Sequence, residues 1–167
     1  MANRSNIEQS GKRKPWQFMS RFEINNPDGT PYLIRWRLIQ TPFFSLYLHK
    51  MVSCDRDPYV HDHPWTFLSI ILRGGYTEVR RDNHTRELYR RRVHHINFMR
   101  RDDAHYIEHI SRVPTWTFLF VGKRRRTWGF YVPDGTVEGW IEFEKWDDWK
   151  ARNLNSASSE KRSDTKV

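Results

Sequence analysis

The sequence predicts an all-β protein, a double-sheet sandwich or barrel, on three observations. About ten short strand-like runs follow one another at hairpin spacing. Only one stretch has helical character. Aromatic residues make up 15% of the chain, with eight Trp, ten Phe and seven Tyr, residues suited to pleated, half-buried surfaces. At 167 residues the chain is the size of one domain. The double-sheet jelly roll is the version of this architecture that holds a small site inside its barrel.

The elements follow in order. Residues 1–14 read as a flexible basic arm, with Lys12, Arg13 and Lys14 together, and residues 15–152 as the β-barrel domain. NNPDGTP (25–31) is a turn cluster. YLIRWRLIQ (32–40) and FFSLYLHKMV (43–52) read as strands, and CDRDPYVHDHP (54–64) as a loop. WTFLSIILR (65–73) is almost continuously apolar and predicts a buried strand. Gly74 and Gly75 predict a tight reversal into YTEVRR (76–81). DNH (82–84) turns the chain into RELYRRRV (86–93), and HHINFM (94–99), AHYIEHIS (104–111) and PTWTFLFVGK (114–123) follow. RTWGFYV (126–132) and WIEF (140–143) end the strands, EKWDDWKARN (144–153) is the helical stretch, and residues 153–167 read as a disordered tail.

Composition narrows the function. The single cysteine, Cys54, excludes a disulfide framework and a cysteine-based zinc ribbon. The first residues have no apolar core of a signal peptide, and no run approaches the roughly 18 apolar residues of a membrane span. The expected location is cytoplasmic, away from membranes. A net charge of +9 points to an anionic partner: nucleic acid, nucleotide or phosphorylated metabolite. Arg80-Arg81, Arg90-Arg91-Arg92, Arg100-Arg101 and residues 123–126 are basic clusters. They read equally as a solvated rim and as weak binding of nucleic acid or another polyanion. No helix-turn-helix, phosphate-binding loop, dinucleotide fingerprint or serine nucleophile elbow is present.

The chemistry concentrates in VHDHPWTFLSIILRGGYTEV, residues 60–79. On extended backbone, His61 and His63 point to the same side. Both imidazoles can therefore reach one metal ion, which needs a third ligand from elsewhere. Asp62 and Pro64 also fit a polar turn. Asp55 and Asp57 read more simply as loop carboxylates pairing with nearby arginines than as a hard-cation site.

This stretch resembles the first motif of the cupin family: His-any-His, three or four residues, Glu, six residues, Gly. Gly74 falls where the motif's glycine belongs, and His105 best matches the histidine of the second motif. The resemblance covers residues 44–122. Phe67 and Leu68 stand where the motif has Glu, and Arg100 and Asp102 stand where the second motif has Pro and Gly. The resemblance therefore implies a three-histidine site of the thiol-dioxygenase type, with His61, His63 and His105 holding one divalent ion. Fe(II) is the leading choice, with Zn(II), Ni(II) and Mn(II) as alternatives. It implies an oxygenase or dioxygenase acting on a small molecule, with isomerase or lyase chemistry next, and a homodimer.

Four further expectations complete the reading. If Gly74-Gly75 is a two-residue hairpin, Glu78 shares a sheet face with Phe67, Ser69 and Ile71. Glu78 is then a distant ligand, a partner orienting a ligand's ring N–H, or a general base. Arg73 or Arg80 would clamp an anionic substrate. His49, on the preceding strand, and His109, four residues past His105, would line the pocket. The competing function is a non-catalytic module that binds a small molecule or nucleic acid, with structural histidines.

Overall fold

The computed structural model describes residues 16–26, 29–132 and 139–153. The expected arm and all but the first residue of the expected tail lie outside them. Eleven strands stand among the described residues. They are β1 (Gln17–Asn25), β2 (Pro31–Gln40), β3 (Phe44–Met51), β4 (Phe67–Arg73), β5 (Tyr76–Arg81), β6 (Leu88–Val93), β7 (Ile96–Met99), β8 (Ala104–Ile110), β9 (Thr115–Gly122), β10 (Gly129–Val132) and β11 (Gly139–Glu142). A six-stranded sheet has the order β1-β2-β3-β9-β4-β7. Facing it are the three-stranded sheet β6-β5-β8 and the pair β10-β11. Isolated bridges from His61 to His105 and Phe130 join those two into one layer. The all-β, two-sheet architecture expected from the sequence is the one observed.

Strand β3 shows how the layers are built. Its side chains alternate, as pleating requires. Ser45, Tyr47, His49 and Met51 are buried, while Phe44, Leu46, Leu48 and Lys50 face outward and are less covered. The inward stripe is thus the more polar one. Apolar packing between the layers gathers Leu33, Met51, Tyr76, Val93, Ile107 and Ile110 in one cluster and Tyr47, Phe67, Met99 and Val121 in another. Between them lies a polar interior in which Glu78, Asn97, Thr115 and Thr117 are no more than 1% exposed.

Two expectations change here. Gly74-Gly75 is no hairpin turn: β4 and β5 belong to different sheets, and the pair makes the corner between them. Gly74 has φ +88°, and a Cβ there would lie 2.4 Å from Thr115 Oγ1. The Thr115 hydroxyl accepts the Gly75 N–H at 3.2 Å and donates to the Arg112 carbonyl at 2.7 Å, pinning the corner to β9. β1, to which the sequence reading assigned no strand, pairs with β2 along its length. Its facing switches near Met19, whose φ is +44°, and that breaks the alternation that would have marked it.

The C-terminal segment closes one end. A 3-10 turn (Phe143–Lys145) leads into a helix over residues 146–153, where the sequence placed one. Trp146 stacks on Phe130 with ring centroids 4.1 Å apart. Trp146 Nε1 and Lys150 Nζ, one helical turn apart, both donate to Asp57 Oδ2, at 3.1 and 2.8 Å. Asp55 accepts from Tyr32 Oη and from the Ile107 amide, each at 2.6 Å. It ties β2 of one sheet to β8 of the other. Neither aspartate has the arginine partner expected of it in these contacts. Among the described residues no helix is long and apolar enough to cross a membrane.

Asp55→Ala leaves the Tyr32 hydroxyl and the Ile107 amide without their acceptor. A loss of about 2–4 kcal/mol is expected, from two hydrogen bonds of which one partner stays buried. Urea denaturation followed by tryptophan fluorescence measures it.

Candidate metal centre

Three histidines converge on the cavity between the layers. His61 and His105 exchange both backbone hydrogen bonds, at 2.9 and 3.0 Å. Directly opposed residues of this kind put their side chains on one face of the sheet. His63 follows two residues on and returns to that face. The ring centroids are 5.3 Å apart for His61–His63, 5.4 Å for His61–His105 and 5.2 Å for His63–His105. One ligand atom from each ring lies within 4.8 Å of the others. His63 Nε2 and His105 Nε2 are 3.0 Å apart.

Asp62, between the two ligating candidates, points the opposite way and is fully buried. It accepts from the Gly129 amide at 2.9 Å, Arg126 at 2.8 Å and Trp140 Nε1 at 2.9 Å. Burial raises its carboxyl above the ordinary range, and these donors oppose that rise. The sequence reading took Asp62 as a turn former. It is an anchor that fixes the alternation of its two neighbours.

Glu78 stands behind His105. Its Oε2 is 2.7 Å from His105 Nδ1 and accepts from Asn97 Nδ2 at 2.9 Å, while Oε1 accepts from Arg80 Nε at 2.6 Å. Arg80 also donates to Asn97 Oδ1, and Asn97 Nδ2 to Tyr76 Oη at 2.9 Å. Burial pushes the Glu78 carboxyl up, but the hydrogen bond and charge of His105 and the charge of Arg80 outweigh it and hold it at about 2. A neutral His105 that donates from Nδ1 carries its lone pair on Nε2, the atom facing His63. Glu78 reaches this place by pairing β5 with β8, not through the expected β4–β5 hairpin.

The other two rings favour the neutral form. Burial lowers His61 to about 4, with His105 adding to the fall and Asp55 opposing it. Burial, then His105 and His61, take His63 well below its ordinary value. A hydrogen bond to the Tyr59 backbone orients His61, and His63 stands edge-on to Phe67 at 5.0 Å.

These donors fit a transition-metal ion. Metal–imidazole bonds of about 2.0–2.1 Å place neighbouring ligand nitrogens roughly 3 Å apart, the separation seen between His63 and His105. Neutral imidazole is the ligating form, and a carboxylate behind one ring is the usual means of orienting such a ligand.

The remaining predicted residues separate. The cavity, about 130 Å³, is lined beyond the histidines by Arg35, Tyr47, His49, Trp65, Ser69 and Thr117. His49 is on the cavity wall, accepting from Arg35 Nε at 2.9 Å, and burial lowers its pKa well below the ordinary value. His109 is exposed on the other face. Register slips between Thr77 and Glu78, so Thr77 pairs with His109 and Glu78 with Ile107, and the extra residue turns His109 outward. Arg73 is exposed at the end of β4. Arg80 is buried but engaged by Glu78, Asn97 and the Phe98 carbonyl, and it does not line the cavity. Arg35 is the guanidinium that does, above the Tyr47 ring at 5.2 Å. Its signal was present: in YLIRWRLIQ, Arg35 and Arg37 share the inward stripe of Leu33.

No family model and no curated protein matches the sequence. Several solved structures are similar. One is Streptomyces albus HEPD with 2-hydroxyethylphosphonate and Fe(II) bound: 17% identity, 64% of this chain, 24% of that chain, TM-score 0.48. Another is Fe(II) HppE: 12% identity, 73% of this chain, 62% of that one, TM-score 0.47. A third is a sugar phosphate isomerase from a cupin superfamily, from Silicibacter pomeroyi: 14% identity, 86% and 93%, TM-score 0.39. This chain thus spans about a quarter and three-fifths of the first two.

Glu78→Gln keeps the shape behind His105 and removes the charge. Metal affinity is expected to fall about 10–100-fold, measured by competition with a chromophoric chelator. Two antiparallel layers enclosing a three-histidine cluster are the arrangement that the resemblance to cupins implied.

Proposed function

We propose that this chain is a metal-dependent oxygenase of the cupin type, acting on a small anionic substrate. The observation that carries the reading is the convergence of three imidazoles, two of them held neutral, on a cavity that also contains a guanidinium. Imidazole suits iron, zinc, nickel and copper. Iron(II) is the ion proposed first, with zinc, nickel and manganese as the alternatives.

Bound there, such an ion supplies a Lewis acid or an oxygen-activating centre. The chain's own residues do the rest. Glu78 keeps a proton on His105 Nδ1 and so keeps Nε2 available. Asp62 holds His61 and His63 in register. Phe67 and Trp65 wall the cavity and restrict water. Arg35 binds the substrate's anionic group, and Ser69 and Thr117 offer hydroxyls from β4 and β9.

Charge balance supports an anionic substrate. Three neutral ligands leave the ion's double positive charge uncancelled, and Arg80 compensates the Glu78 carboxylate. A carboxylate, phosphate or phosphonate entering the cavity would meet the ion and Arg35 together. The polyanion reading loses ground, because several basic clusters spend members internally. Arg90 is forked on Glu108 at 2.8–3.0 Å, and Arg126 is on Asp62.

The test is anaerobic loading with Fe(II), then oxygen uptake against a panel of small carboxylates and phosphonates. Arg35→Ala is expected to weaken the active compound about 10–100-fold, the worth of a charge-assisted hydrogen bond, with metal content unchanged. Equal use of anionic and neutral compounds, or no effect of the substitution, contradicts the role given to Arg35.

A further inference from the structure

The inward wall of the six-stranded sheet, across the cavity from the three histidines, carries polar groups that the fold itself does not use. Arg35, His49 and Thr117 are directly opposed across β2, β3 and β9. Tyr47 and Ser69 flank Leu119 in the next row, from β3 and β4. All five line the cavity. His49 is 6% exposed, Tyr47 and Ser69 3% and Thr117 1%. The hydroxyls of Tyr47, Ser69 and Thr117 have no hydrogen-bond partner among the described residues. None of these oxygens is sealed from solvent, so they open onto the cavity. Buried polar groups in native proteins are nearly always paired. Groups left open on a cavity wall therefore point to a ligand that pairs with them.

His49 fixes which way that pairing runs. Its Nε2 accepts from Arg35 Nε at 2.9 Å. A neutral imidazole that accepts at Nε2 carries its proton on Nδ1, and burial keeps this ring neutral. Nδ1–H is therefore a donor, and nothing among the described residues accepts from it. The charge of Arg35 is felt at His63, so the row lies beside the histidine cluster. It presents a guanidinium, a ring N–H and a hydroxyl side by side, at strand spacings of about 4.8 Å.

We propose that His49 determines specificity: its Nδ1–H donates to an oxygen on the first or second carbon beyond the substrate's carboxylate, while its Nε2 steers Arg35 onto the carboxylate. This rests on reading the cavity as the site of a small anionic substrate. Three features narrow the class. Arg35 is the one guanidinium among the described residues that line the cavity, and its planar fork matches a carboxylate. The cavity measures about 130 Å³. One of about 150 Å³ takes a benzene-sized ligand, so the substrate has about six non-hydrogen atoms. Nucleotides, sugar phosphates and polyanions are too large. Finally, a hydroxyl oxygen accepts from His49 and donates to Thr117, and a carbonyl oxygen accepts from both. An ammonium group only donates and meets the His49 N–H as a second donor. The class is a short hydroxy- or oxo-carboxylate rather than an amino acid.

The test reads binding rather than turnover. The full chain, metal-free and Zn(II)-loaded, is titrated with lactate against isobutyrate, 3-hydroxypropionate against butyrate, and alanine. Each pair exchanges a hydroxyl for a methyl at constant size, and proton–nitrogen NMR spectra give the dissociation constants. At least one hydroxy acid is expected to bind about 10-fold tighter than its methyl counterpart and than alanine. His49→Gln keeps an acceptor where Nε2 stands and loses the donor at Nδ1. It is expected to abolish that preference and leave binding of the methyl compounds unchanged. His49→Asn keeps an N–H near Nδ1 and releases Arg35. It is expected to keep the preference and weaken both members of a pair about 10-fold. A purely structural role moves both members together in both variants. Should His49→Gln not fold, the Nδ1–H resonance of the unmutated chain decides: it moves with the hydroxy acid and not with its methyl counterpart. Binding of none of the compounds, equal binding within the pairs, alanine bound as tightly as the hydroxy acid, or a preference that His49→Gln retains overturns the proposal. A chain that takes up no metal but shows the preference supports it and contradicts the oxygenase reading alone.

Discussion

The reciprocal pair of backbone hydrogen bonds between His61 and His105 organises the functional half of this molecule. It inserts a loop residue as a bridge between β8 and β10 and sets two imidazoles side by side. Extended backbone at residues 61–63 then brings in the third. The neighbouring bonds from Asp62 to the Gly129 carbonyl and from Tyr131 to the Val60 carbonyl, 3.0 and 2.9 Å, extend the pairing on the other side. The site is therefore part of a sheet rather than of a free loop, and its precision is that of the sheet.

The second constraint is a buried negative charge. Glu78 is fully buried, and an unpaired carboxylate there would cost far more than the fold can supply. Arg80, Asn97 and His105 satisfy it from three different strands. Breaking one contact of such a network leaves charge stranded, which typically costs about 3–5 kcal/mol. The arrangement trades stability for orientation: a wholly apolar core would be easier to build but would leave His105 free to turn. The same trade explains the polar inward stripe of β3, where Ser45 and His49 occupy positions that a purely structural strand would fill with aliphatics.

Much of this was legible in the sequence. Strand positions followed from alternation and turn residues, and the His-any-His spacing located two ligand candidates and, through the resemblance to cupins, the third. What failed was register and connectivity. A double glycine signals a sharp change of direction, but not whether the chain returns to the same sheet or crosses to the other. Gly74-Gly75 crosses. Glu78 was thus expected in the pocket through a pairing that does not exist, and it stands behind His105 instead. His109 was misplaced by one irregularity in β8, which no local pattern announces. Arg73 and Arg80 were chosen for proximity along the chain, whereas Arg35 sits at the cavity because β2 lies across from it. Its two inward arginines were the available signal, since a charge on a buried stripe needs a reason. Asp62 was read as a turn former because aspartate and proline two residues apart in a polar loop usually mark a turn.

The account stands on one claim, that His61, His63 and His105 hold a metal ion together. Elemental analysis of chain purified without chelators or a histidine tag, then loaded anaerobically with Fe(II), tests it most directly beside a folded His105→Ala variant. The account predicts about one equivalent of metal per chain in the parent and a loss of most of it in the variant. A parent that takes up none of Fe(II), Zn(II), Ni(II) or Mn(II), or a variant that retains the full amount, would contradict it.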